Sequence, residues 1–262
     1  MEFLKVTKKP SSLIAETIYI LLNLGLAIGV LLLVQLFSTN GAVPVLAFVL
    51  VILSKWRVLA VQPRYWWDNL QGNLLDLLVG LSFVAFIWNA NGNHWLQIGL
   101  TIGYAAWLII LKPMTSRTAV IIQAAIGQFV AITTLYTIAF TWPSSLVVIS
   151  MWIIGFISAR HALLAYDEED TILLSMIWGL VIAELGWIAH HYTIAYPVIS
   201  TNLQIPQIAI IVTLLSNVAL SALSIHRRHE KIVVRSIIGP LVFALLVTLI
   251  MLFFISERTF SS

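Results

Sequence analysis

Nine apolar runs separated by short polar connections divide the chain: 13–37, 42–60, 70–89, 94–111, 118–141, 144–165, 171–192, 206–225 and 234–256. Runs of about 17–25 residues match the length needed to cross roughly 30 Å of hydrocarbon at about 1.5 Å per residue. Unpaired backbone groups are too costly in lipid, so such runs fold as helices. The pattern predicts an all-α, polytopic transmembrane helix bundle of about nine spans, a single integral-membrane domain over 1–262. The connections are too short to fold as a soluble domain of their own.

The basic residues follow the same division. Lys5, Lys8 and Lys9 precede the first span, Lys55 and Arg57 at the end of the second run and Arg64 after it mark the passage from the second to the third, and Lys112 and Arg117 fall between the fourth and fifth. Arg160 closes the sixth, and Arg227, Arg228, Lys231 and Arg235 cluster where the eighth passes to the ninth. The intervening connections, 38–41, 90–93, 142–143 and 193–205, hold no Lys or Arg, which leaves only Arg258 opposite. Basic residues collect in cytoplasmic connections, so the N-terminus is expected inside and the C-terminus outside. The first apolar run exceeds the about 7–15 residues of a signal peptide and lacks a small-x-small cleavage site, so it reads as an uncleaved anchor. Aromatic rings prefer the headgroup zone, and Trp88, Trp95 and Trp142 fall at the outer helix ends, Trp56, Tyr65, Trp66 and Trp67 at the inner ones.

Composition excludes the alternatives. At 60% hydrophobic and 10% charged residues, with a mean hydropathy of +1.00, the chain has too few charges to cover a soluble surface and too many apolar residues to stay disordered. The net charge of +3 is accounted for by the positive-inside bias and implies no nucleic-acid partner. The absence of cysteine removes disulfides, thiolate nucleophiles, iron–sulfur clusters and sulfur-ligated zinc. No lysine falls in the middle of a span to carry a retinal, and no phosphate-binding glycine loop, His-Glu-x-x-His or Gly-x-Ser-x-Gly motif occurs. No cofactor is expected, and catalysis is the less favoured class. The expected location is a prokaryotic plasma membrane, with the lipid bilayer as the first partner and further membrane subunits or a homo-oligomer as others.

Lipid gives helices no hydrophobic reason to associate, so small residues that permit close approach carry the packing. Gly25 with Gly29, Gly99 with Gly103, Gly155 with Ala159, and Gly179 with Ala183 have the required spacing, and the first two pairs are expected to face other helices.

Two carboxylates fall well inside spans: Asp76, roughly 9 Å from the inner end of the third, and Glu184, roughly 20 Å into the seventh. Each needs a partner, a proton or a water-filled cavity, because insertion of a charge costs about 2.5–3.5 kcal/mol. His191 follows Glu184 by nearly two turns on the same face, with His190 beside it, as in carboxylate–imidazole proton relays. Gln128 and Asn217 mark comparable depths on the fifth and eighth spans, with Asn23, Gln123 and Ser216, so Asp76, Gln128, Glu184, His191 and Asn217 form a candidate polar path. His94, His190 and His191 supply imidazole chemistry for zinc or copper at a spacing that matches no metal motif. The acidic run Asp167–Asp170 suits the positive end of the seventh helix dipole. Three functions fit these residues: a small-solute or ion channel or transporter, possible coupling to protons included; a non-catalytic subunit of a membrane complex; and an intramembrane enzyme acting on lipid.

Overall fold

A computed structural model describes residues 13–38, 42–60, 62–139, 141–166, 168, 170–192, 194–198, 202–229 and 234–254. Lys5, Lys8, Lys9, Lys231 and Arg258, and Asp167 and Glu169 of the acidic run, lie outside the described residues. Nine α-helices occur among them: α1 (Leu13–Ser38), α2 (Val45–Leu53), α3 (Trp66–Asn89), α4 (His94–Ala106), α5 (Arg117–Ile138), α6 (Ser144–Leu164), α7 (Thr171–His191), α8 (Gln207–His229) and α9 (Val234–Phe254). Among the described residues seven stretches are long and apolar enough to cross a membrane, those of α1, α3, α4 with the turn that follows it, and α5 to α8, while the apolar stretch of α9, Ile237–Met251, is shorter. The protein is thus a multi-pass helical membrane protein in its coarse architecture.

Contacts between helices define their directions. Tyr19 and Gln35 of α1 bond Leu108 and Gln97 respectively, so α1 and α4 run opposite ways. Gln97 donates to the Ile87 carbonyl and Trp107 to Asp76, so α3 and α4 do too, and α1 is parallel to α3. The chain must therefore return between residues 38 and 66. It does so through α2, which at nine residues is about 14 Å long, less than half of a roughly 30 Å hydrocarbon layer. Two 3₁₀ turns, Trp56–Leu59 and Pro63–Tyr65, complete the return. The apolar run 42–60 is thus a broken helix. It stops after Leu53 because Ser54 turns its hydroxyl onto the Val51 carbonyl and Lys55 swings to Asp76.

Two cores hold the bundle. The first joins α1 to α4 through Val30, Val34, Val51, Val79, Phe83 and Tyr104; the second joins α5 to α8 through Ile132, Tyr136, Met151, Ile182 and Val212. Gly127 of α5 sits on Leu75 and connects them. The tightest crossing is α6 on α7, where a Cβ on Gly155 would lie 3.0 Å from the Gly179 Cα, and one on Gly179 2.9 Å from the Trp152 carbonyl. Of the glycines expected at interfaces, Gly29 and Gly103 meet Leu50 and Phe83, but Gly25 and Gly99 face open space. The x-x-x spacing identifies a small-residue stripe without saying which side of the helix is covered.

Lys55, Lys112, Arg117, Arg160 and Arg227 share one end of the bundle, the basic end. The opposite end is capped by a short antiparallel hairpin, β1 (Ala195–Pro197) with β2 (Gln204–Pro206), anchored by Thr137 on the Gln204 carbonyl. Exposed Trp95 and Trp142 lie at that end, and Trp56, Tyr65, Trp66 and Trp67 at the basic end, the arrangement of two interfacial belts.

Candidate functional site

Asp76 is buried ten residues along α3, and three side chains close on it. Lys55 and Lys112 place their Nζ atoms 2.5 and 2.6 Å from its Oδ2, while the Trp107 indole donates to Oδ1 at 3.0 Å. A π-helical turn, Trp107–Leu111, makes this possible. Its five-residue bond, from the Lys112 amide to the Trp107 carbonyl, changes the rotation per residue so that both Trp107 and Lys112 reach the carboxylate. One carboxylate against two ammonium groups leaves the cluster with a positive charge. It ties α2, α3 and the end of α4 together, and the lysines bring to Asp76 the partner that a carboxylate at that depth requires.

Gln128 centres a second cluster. Its amide nitrogen donates to Ser216 at 2.9 Å, and its oxygen accepts from Ser158 at 2.9 Å and Ser216 at 3.1 Å. The Trp178 indole donates to Ser216 at 3.2 Å, so the cluster joins α5, α6, α7 and α8. These groups form the floor of a cavity of about 230 Å³ whose walls are alanine, leucine and isoleucine, with Asn217 at its edge. Nearer the basic end, Gln123 donates to the carbonyls of Leu111 and Met114 and bonds His161 at 2.9 Å.

Glu184 lies elsewhere, on the outward face of α7. Its neighbours one turn away in either direction, Leu180, Val181, Trp187 and Ile188, are all exposed apolar side chains, and no described residue pairs with its carboxylate. His191 is on the same face, about 10 Å along the helix, against the edge of the Trp187 ring. His190 stacks edge-on to His191 with ring centres 5.6 Å apart, and His94 is exposed at the start of α4. Among the described residues no three His, Asp or Glu side chains gather as a metal site would require.

Of the five positions on the candidate path, the structure brings Gln128 and Asn217 to one cavity and leaves Asp76, Glu184 and His191 apart from it. Sequence reasoning missed Lys55 and Lys112 as partners of Asp76; the available signal is a carboxylate about two to three turns inside a basic end, within reach of lysines that terminate neighbouring hairpins. It also missed Ser158 and Trp178, which look like ordinary span residues until four helices converge. No family model, curated protein or solved structure matches this chain.

Proposed function

We propose that the protein is a non-catalytic subunit of a larger membrane complex, joined to its partner through the outward face of α7. The observation that carries this reading is Glu184, a carboxylate thirteen residues into a spanning helix and surrounded by exposed apolar side chains. Left against lipid it costs about 2.5–3.5 kcal/mol, a cost that a facing cation or hydrogen-bond donor on another helix removes. The partner is therefore a transmembrane segment with a basic or amide side chain at matching depth. A second copy fits less well: parallel α7 helices about a two-fold axis would set Glu184 against Glu184, and the intramembrane lysines are already held by Asp76.

Transport is the other reading of the same polar residues. It draws on Gln128 and Asn217 sharing a cavity, but that cavity has apolar walls and a floor whose groups bond one another, and the two deep carboxylates stand away from it.

The test is photo-crosslinking from Val181 and Ile188, with Leu246 on α9 as the control position. One polypeptide should be captured from the α7 positions, through a helix bearing a mid-span cation or amide. Glu184→Lys should abolish capture, and a reversed charge on the partner should restore it. Crosslinks to lipid alone, or to a second copy alone, would contradict it.

A further inference from the structure

The cavity above Gln128 has the shape of a lipid-chain site. On α5 it runs from Ile121 to Gln128 and on α8 from Leu223 to Ser216, two turns of each helix, or roughly 10 Å. That depth fits inside one leaflet of about 15 Å, half the hydrocarbon thickness. Its floor is closed: Gln128, Ser158, Ser216 and Trp178 bond one another and give an occupant no way through to the other leaflet. At about 230 Å³ it exceeds the cavity of about 150 Å³ that admits benzene, and its aliphatic walls offer water too few partners to fill it.

The mouth is as specific as the floor. Arg117 lies one turn before Ile121 on α5, and Arg227 one turn after Leu223 on α8, so both guanidinium groups stand beyond the cavity at the basic end. They converge on Tyr166: Arg117 lies 4.2 Å over its ring, and Arg227 bonds its carbonyl and pairs with Glu168 at 2.5 Å. Arg117 uses only its Nε, on the Ala165 carbonyl at 3.2 Å, so among the described residues its terminal nitrogens are open to an oxyanion. Basic groups at the headgroup end of an apolar cleft between helices are the chemistry that recognises anionic lipids.

We propose that this cavity holds one acyl chain of an anionic phospholipid from the leaflet at the basic end, with the lipid phosphate on the terminal nitrogens of Arg117, beside the Arg227–Glu168 pair. The occupant is a single-leaflet chain and not a long polyprenyl tail, because the floor is blind. The site is independent of the α7 docking face, since none of the residues at its floor or mouth is Glu184 or its outward neighbours.

Lipid extracted from the full-length protein, after exhaustive detergent washing, is quantified against protein and identified by mass spectrometry. About one anionic phospholipid per chain is expected to remain. Ala125→Phe and Ala219→Phe, which fill the cavity from two helices, should each lose it while melting at or above the wild-type temperature. Arg117→Gln, at an exposed position, should retain less phosphatidylglycerol and leave any bound phosphatidylcholine unchanged. A wild-type protein that retains no phospholipid, an isoprenoid lipid in its place, undiminished lipid in either folded phenylalanine variant, or no headgroup preference lost in Arg117→Gln would overturn the proposal.

Discussion

Replacing Asp76 with asparagine keeps the side chain's size and its acceptor for the Trp107 indole but removes the charge between Lys55 and Lys112. Each ammonium group lies within 2.6 Å of the same carboxylate oxygen, so the two nitrogens are at most about 5 Å apart, and without the anion they repel by about 3 kcal/mol at an effective dielectric constant near 20. Deleting one member of a buried ion pair costs about 3–5 kcal/mol by a separate line of evidence, which agrees. Lys112 retains 31% of its side-chain exposure and relaxes toward water, so the lower end of that range is the better figure. For a chain of this size about 3 kcal/mol lowers the melting temperature by roughly 6–12 °C, measured by fluorescence-detected unfolding in a mild detergent. Lys112→Gln, which removes the repulsion and leaves the Lys55–Asp76 pair, should cost less than half as much. Combined with Asp76→Asn it should recover part of the lost stability, because only one buried cation then remains. An Asp76→Asn protein that folds and melts with the wild type would show that the cluster is hydrated and contributes nothing to holding α2, α3 and α4 together.

The α6–α7 crossing gives a second expectation: Gly179→Ala presses a methyl group against the Trp152 backbone carbonyl and should destabilise by about 1–3 kcal/mol, whereas Gly25→Ala, which meets open space, should leave melting unchanged. Equal melting of the two variants would contradict the packing. Reporter fusions after Tyr65 and Met114 should read cytoplasmic and those after Gly92 and Val198 external, because the former pair lies at the basic end and the latter at the hairpin end; any mixture within a pair would break the up-down order of helices.

The helical class and most boundaries were legible because composition and run length decide them locally. Residues 42–60 show where this stops. The run has the apolar length of a span, yet the helix ends after Leu53 because Lys55 is drawn to Asp76, a residue 21 positions away on another helix. Asp76 was recognisable as a carboxylate in need of a partner, but its two partners come from separate connections and meet it only through the break in α2 and the π turn after α4. Gln128 and Asn217 were matched by depth, a quantity sequence supplies, and the convergence of Ser158, Trp178 and Ser216 on Gln128 depends on the rotation of four helices, which it does not. Glu184 marks the same limit from the other side: α7 is apolar all round, so no periodicity distinguishes its packed face at Gly179, Ile182 and Gly186 from its outward one.

On the proposed function, Glu184 serves contact with another membrane protein and not the fold of its own chain. The most direct test is the mass of the complex extracted from native membranes in a mild detergent, compared between wild type and Glu184→Lys by light scattering. The wild-type assembly should contain a second kind of polypeptide, and the Glu184→Lys protein should run as the bare 29.2 kDa chain with an unchanged melting temperature. Equal masses for the two, or a Glu184→Lys protein that no longer folds, would contradict it.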